Sequence, residues 1–158
     1  MYNIGDSVAH PLHGAGIIDG IEERKINGRT KSYYILKLPS GGMVVMIPTD
    51  NCEAVGVRPI VAADAAETLI NEIPNLDTDM TSNWSKRYRE NMERLKSGDL
   101  FEVARVIKGL TARDSERGLS TGERKMLQSA KQILVSEIAL SQSKSAEEVA
   151  LRIDAAFA

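Results

Sequence analysis

Ile17-Ile18-Asp19-Gly20-Ile21-Glu22-Glu23-Arg24-Lys25-Ile26-Asn27-Gly28-Arg29-Thr30-Lys31-Ser32-Tyr33-Tyr34-Ile35-Leu36 governs how the first third of this chain folds. Asn27-Gly28 is the strongest short hairpin signal available, because both residues accept the positive φ that a two-residue turn demands. Ile17, Ile18 and Ile21 precede it, and the β-rich run Tyr33-Tyr34-Ile35-Leu36 follows it. A further run, Met43-Val44-Val45-Met46-Ile47, ends at Pro48. Pro11-Leu12-His13-Gly14 and Pro39-Ser40-Gly41-Gly42 break the chain between runs. Several short strands over residues 1–58 predict a small, strongly bent barrel of the SH3 or Tudor type. Its six cations balance six acids.

Beyond residue 58 the pattern changes to helices. Val61 to Ile73 reads as an Ala-rich helix stopped before Pro74, and Asn75 to Ser82 as a polar connection. Asn83 to Lys96 is a second helix, closed by Gly98. Asp99 can cap a third, which runs to about Arg117 and ends at Gly118. Ser120-Thr121-Gly122-Glu123 and Ser145-Ala146-Glu147-Glu148 are capping boxes that open a long helix and a terminal one. Met126, Leu127, Ala130, Ile133, Leu134 and Ile138 follow helical spacing, as do Val149, Ile153, Ala156 and Phe157. Short amphipathic helices must bury their stripes on one another. The chain is therefore predicted to be α+β with two domains, a β-barrel over 1–58 and a compact all-α domain over 59–158.

Composition narrows the function. Hydrophobic content of 42% and charge of 27% in 158 residues suit a soluble globular protein. A net charge of −2 excludes coating of nucleic acid by bulk charge, so any such contact is local. The single cysteine, Cys52, forbids an internal disulfide and suits a reducing cytoplasm. Met1 to Asp6 has neither the basic nor the apolar region of a signal peptide, and no apolar run approaches a membrane span. His10-x-x-His13 with Cys52 falls short of four zinc ligands and reads as a turn, so no metal and no cofactor are expected. Gly14-Ala15-Gly16 and Gly41-Gly42 read as strand ends and bulges, since no Gly-Lys-Ser/Thr follows them. Nothing links Cys52 to either histidine as nucleophile and base, so no enzyme is expected.

The chemistry concentrates in Asn83-Trp84-Ser85-Lys86-Arg87-Tyr88-Arg89, which holds the only tryptophan. The preceding segment, Pro59 to Ser82, has five acids and no Lys or Arg, whereas residues 83–96 carry five cations against two acids. A ring among cations suits nucleic acid, where cations take phosphates and the ring stacks or wedges. Composition alone favours a plainer reading, a core tryptophan on a helix with solvated cations. Trp84, Tyr88, Met92 and Leu95 share one narrow stripe, which supports burial with cations snorkelling at its edges. Trp84 nevertheless sits in the first turn, where a stripe can run off the end of a core.

These residues resemble a known family. Gly5-Asp6-Ser7-Val8-Ala9-His10-Pro11-Leu12-His13-Gly14, Tyr34-Ile35-Leu36-Lys37-Leu38, Ile47-Pro48 and Gly56-Val57-Arg58 are similar to CarD/CdnL-type bacterial transcription regulators. Asn83 to Arg89 resembles their best-known signature. Leu95 to Asp99, Arg113 to Ser120, Glu123 to Leu127 and Ala130 to Leu134 continue the likeness in order. The resemblance implies a Tudor-like amino-terminal domain, shared with transcription–repair coupling factors, that docks on the lobe of the RNA polymerase β subunit. It implies a helical domain on promoter DNA, with Trp84 entering the minor groove at the upstream fork of the −10 region without reading sequence. Trp84, Lys86, Arg87 and Arg89 match its DNA-contacting positions, and this reverses the preference for a core tryptophan. Arg24 and the region of Met46 and Pro48 match its polymerase-binding surface. Better-known members have an arginine where this chain has Met46.

The resemblance thus implies a cytoplasmic, monomeric, non-enzymatic initiation regulator that bridges polymerase and promoter and stabilises the open complex. The competing reading is an adaptor whose helical domain binds a partner protein and buries Trp84. An enzyme fragment akin to the coupling-factor translocase would need a phosphate loop or helicase motif, which the chain lacks.

Overall fold

The structure, a computed structural model, describes residues 1–39 and 42–158. The break expected at Pro39 to Gly42 therefore has Ser40 and Gly41 outside the described residues. The amino-terminal region is an antiparallel sheet of β1 (Ser7–His10), β2 (Gly14–Ile26), β3 (Arg29–Lys37), β4 (Val44–Pro48) and β5 (Arg58–Pro59), in spatial order β4-β3-β2-β1-β5. Asn27 and Gly28 form the β2–β3 turn with φ of 52° and 76°, and Ile26 pairs Arg29 directly across it. The hairpin expected from this dipeptide is the longest ladder in the sheet. Its bulge lies between Ile18 and Gly20, leaving Asp19 unpaired. Gly14 instead opens β2, where a Cβ would lie 2.5 Å from Ser136 Oγ and 3.4 Å from Ile133 Cα.

Alternation divides the sheet faces. Val8, Ile18, Tyr34, Leu36 and Ile47 point into the domain core together with Cys52 and Val57. Register places Arg24 opposite Lys31, Ile35 opposite Met46, and Tyr33 opposite Pro48. Directly paired residues share a face, so Arg24, Met46 and Pro48 all lie on the face away from that core. One helical turn, α1 (Cys52–Val55), interrupts the strands. The strand reading did not anticipate it, because four residues are too short to show a helical period.

Five longer elements follow the sheet: α2 (Ala63–Glu72), α3 (Trp84–Lys96), α4 (Leu100–Arg117), α5 (Thr121–Gln142) and α6 (Ala146–Phe157). The caps expected at Asp99, Ser120 and Ser145 are made, and Asn83 adds one that was not expected. Asn83 Oδ1 accepts from Lys86 N, Asp99 from Phe101 N, Ser120 Oγ from Glu123 N and Ser145 Oγ from Glu148 N. α2 stops one residue earlier than expected and runs into a 3₁₀ turn at Ile73–Asn75. α4 and α5 form the centre of the helical core, where Ala104, Val106, Ile107, Leu110, Ala130, Leu134 and Ile138 exclude solvent completely. Arg152 forks onto Glu67 and ties α6 to α2.

The sheet and the helices are joined through partly buried polar contacts. Arg58, on β5, donates through Nη1 and Nη2 to both oxygens of Glu137 on α5 at 2.7 and 2.9 Å, and through Nε to Gly98 O at 2.7 Å. Glu137 Oε2 also accepts from Val61 N at 2.9 Å, and Ser136 Oγ accepts from Ala15 N at 3.0 Å. A fork–fork pair with further donors on the carboxylate sets orientation as well as distance.

His10 and His13 do meet in the turn, with ring centroids 4.6 Å apart, but His10 has a structural task. Its Nδ1 accepts from Leu12 N at 3.1 Å. Burial, with His13 adding, pushes the His10 imidazole down to about 4. The folded state therefore refuses a proton that the unfolded chain accepts below its ordinary value of about 6.5. Stability contributed by neutral His10 is fully present above pH 6.5 and is lost as pH falls towards 4. We expect the melting temperature to decline across that window, and His10→Asn, which keeps an acceptor for Leu12 N but cannot titrate, to flatten the slope. An identical slope in the variant would assign the decline to other groups.

Candidate nucleic-acid interface

The first two turns of α3 carry the aromatic and basic residues singled out in the sequence. Asn83 fixes its start, so Trp84 is the first helical residue and cannot be covered by a preceding turn. Trp84 is 47% exposed, neither enclosed in the core nor free. Its ring stacks on Tyr88 one turn along, with centroids 5.3 Å apart and planes at 21°. Its indole Nε1 donates to Ser120 Oγ at 3.0 Å. The ring therefore stands at the rim of the helical domain, one face on Tyr88 and its edge tied to the start of α5.

The inward face of α3 differs from the apolar stripe expected for it. Arg87, Asn91 and Leu95 are buried, whereas Tyr88 and Met92 are only half-buried. Of the expected remainder, Tyr88, Met92 and Leu95, only Leu95 is fully enclosed. The cause is an ion pair. Arg87 Nε and Nη2 donate to the two oxygens of Glu123 at 2.7 and 3.0 Å, and both side chains are almost completely buried. Arg87 Nη1 also donates to Thr81 O and Ser82 O at 3.1 and 3.2 Å, holding the segment that enters α3. The hydrogen bonds from Arg87 hold the Glu123 carboxyl below the usual carboxylate range, and the same bonds raise the Arg87 guanidinium. An amphipathic stripe counts Arg as outward, so this pairing rotates the helix relative to its apolar phase.

The expectation that Arg87 meets phosphate therefore does not fit its surroundings. Its charge is spent on Glu123 and its fork on Glu123 and two carbonyls. Lys86 and Arg89, by contrast, are exposed on either side of it. Lys86 Nζ lies 4.0 Å from Glu90 Oε1, a loose surface contact of little energetic consequence. The sequence reading missed Glu123, Ser120 and Glu137 as partners of the site and of its support. Glu123 carried one signal, its place in a capping box. Its side chain does not reach back to the Ser120 backbone as that motif prescribes but turns to Arg87.

On the sheet, Arg24 is exposed near the β2–β3 tip and pairs weakly with Glu22 at 3.3 Å. Met46 and Pro48 are half-buried on β4, which is an edge of the sheet. No helix of the described residues is long and apolar enough to cross a membrane.

Comparison with known proteins divides along the same lines as the fold. Residues 2–61 match the CarD-like/TRCF RID domain, and residues 64–154 match the CarD C-terminal domain. A Bacillus subtilis (strain 168) protein named "Putative transcription factor YdeB" is 33% identical over 138 residues, which cover 87% of this chain and 90% of that protein. With a RID domain, a CarD carboxy-terminal domain and the sheet-plus-helices architecture in one chain, this protein belongs to the CarD/CdnL-type family of transcription regulators.

Proposed function

We propose that this chain is a non-enzymatic transcription initiation regulator. Residues 1–58 bind the lobe of the RNA polymerase β subunit, and residues 59–158 rest on promoter DNA at the upstream fork of the bubble and stabilise the open complex. The observation that carries this reading is the half-exposed Trp84 at the first turn of α3, a helix that also exposes the cations Lys86 and Arg89. A flat ring inserted at an unstacked step opposes closure of the duplex, and its penalty is smallest where the step is already opening. Lys86 and Arg89 on flanking phosphates hold the register without reading bases, so the effect spreads over promoters of different sequence. Arg87 supports from inside the domain. An adaptor that hides Trp84 against its own core fits this exposure poorly.

For the polymerase side, β4 is an edge strand with no further strand paired to it among the described residues, and Arg24, Met46 and Pro48 share the sheet face beside it. An edge strand of this kind accepts a partner strand by β-augmentation. Met46 makes this surface more apolar than an arginine would.

Two measurements test the proposal. A photo-cross-linker at Met46 in the full chain should yield adducts with the β subunit of purified core polymerase. Adducts confined to other subunits would contradict the docking face. Lys86→Ala and Arg89→Ala should each weaken fork-junction DNA binding on all sequences alike. Each should also lower the slope of log affinity against log salt by about 0.9, the value for one phosphate no longer neutralised on duplex DNA. Slopes unchanged in both variants would rule out phosphate binding by these two side chains.

A further inference from the structure

The contact between Trp84 and α5 belongs to a two-rung ladder. Trp84 and Arg87 are three apart on α3, and Ser120 and Glu123 are three apart at the start of α5. The outer rung is Trp84 Nε1 to Ser120 Oγ at 3.0 Å, and the inner rung is the Arg87–Glu123 fork. The rungs are joined, because Ser120 Oγ lies 3.4 Å from Glu123 Oε1. A serine hydroxyl has one proton and two lone pairs. The lone pairs take the indole N–H and Glu123 N–H, the latter at 3.2 Å, which leaves the proton to point at the Glu123 carboxylate across the long 3.4 Å contact. The rings also lie against the first turn of α5, where a Cβ on Gly122 would come 3.7 Å from Tyr88 and 3.9 Å from Trp84.

We propose that Ser120 is a positioning residue: supported by the Arg87–Glu123 pair, it locks the half-exposed Trp84 indole in one orientation, so that the ring meets its ligand preformed. The purpose rests on the DNA-wedge reading, whereas the locking does not. Without the lock, a half-exposed ring would share its time among rotamers and be ordered anew at each encounter, which lowers affinity. The N-cap duty of Ser120 does not by itself call for an indole partner. The joint use of one hydroxyl as helix cap and ring anchor couples the start of α5 to the orientation of Trp84.

The experiment uses the full chain, in which Trp84 is the only fluorescent indole. Ser120→Gly removes the hydroxyl at a position where glycine still serves as an N-cap, and Ser120→Thr restores a hydroxyl. With far-UV circular dichroism unchanged, Ser120→Gly should lower Trp84 fluorescence anisotropy and raise its acrylamide quenching. A neutral hydrogen bond of ordinary net strength biases the held rotamer by about fivefold, so fork-junction DNA affinity should fall by up to about that factor. Ser120→Thr should restore both. A ring equally rigid and equally shielded in Ser120→Gly would overturn the locking. A mobile ring with undiminished affinity, where Trp84→Ala loses affinity, would overturn the claim that orientation matters. If Trp84→Ala itself keeps full affinity, the wedge reading falls, while fluorescence still decides the lock.

Discussion

Glu123→Ala should cost roughly 3–5 kcal/mol of stability, the scale at which one partner of a buried ion pair is removed and the other is left unpaired. Much of the margin of a small domain would be lost, since total stabilities run at about 5–15 kcal/mol. The stranded group would be Arg87, whose guanidinium is almost wholly enclosed and would retain only its bonds to Thr81 O and Ser82 O. The site should suffer with it, because Glu123 also supports Ser120. Replacing both partners with apolar residues, Arg87→Met with Glu123→Leu, should recover most of the loss, since no buried charge then remains. Chemical denaturation of the three variants decides this. Equal stability of Glu123→Ala and the parent would mean that water reaches Arg87. Acid adds a second signature. The Glu123 carboxyl sits below its ordinary value when folded, so its stabilisation is fully present above the unfolded carboxyl value and disappears as pH falls through the lowered one.

Trp84→Ala should behave in the opposite way, sparing the fold and damaging the function. A fully buried tryptophan truncated to alanine costs roughly 3–5 kcal/mol, but this ring is half-exposed and its loss should cost well under that range. The melting transition should stay cooperative and move by several degrees only. The lifetime of the promoter open complex should shorten far more, by about five- to hundredfold, the range expected when one aromatic–base stack is removed. Thermal unfolding paired with open-complex decay on one promoter settles it. A collapsed melting transition would return Trp84 to the core. An intact transition with an unchanged open-complex lifetime would take the wedge away.

The two variants differ because neighbouring residues on one helix face different surroundings. Trp84 and Arg87 stand three positions apart, yet the apolar one is exposed and the charged one is buried. Hydrophobic phase pointed to Trp84, Tyr88, Met92 and Leu95 as the inward stripe, and only Leu95 is fully enclosed. A bidentate pair with additional hydrogen bonds can hold a guanidinium inside a domain, and no periodicity registers it. The family signature pointed to Trp84 and its basic neighbours as the candidate site, but it grouped Arg87 with Lys86 and Arg89 without regard to which of them faces out.

Features that depend on a few adjacent residues were legible before folding. Asn27-Gly28 set the hairpin because the turn needs positive φ at both positions. Ser120, Ser145 and Asp99 set helix starts because each cap is satisfied within three residues. Short β-rich runs separated by turns, helical spacing beyond residue 58 and the ordered family motifs supplied the division into a sheet and a helical region. Long-range packing settled which face of α3 turned inward, how far Trp84 stands out, and how sheet meets helices. Those outcomes rest on Trp84–Ser120 and Arg87–Glu123, each 36 residues apart, and on Arg58–Glu137, 79 apart. A charge is stable in a protein interior only when its partner arrives there too, and a partner's arrival is a property of the folded chain as a whole.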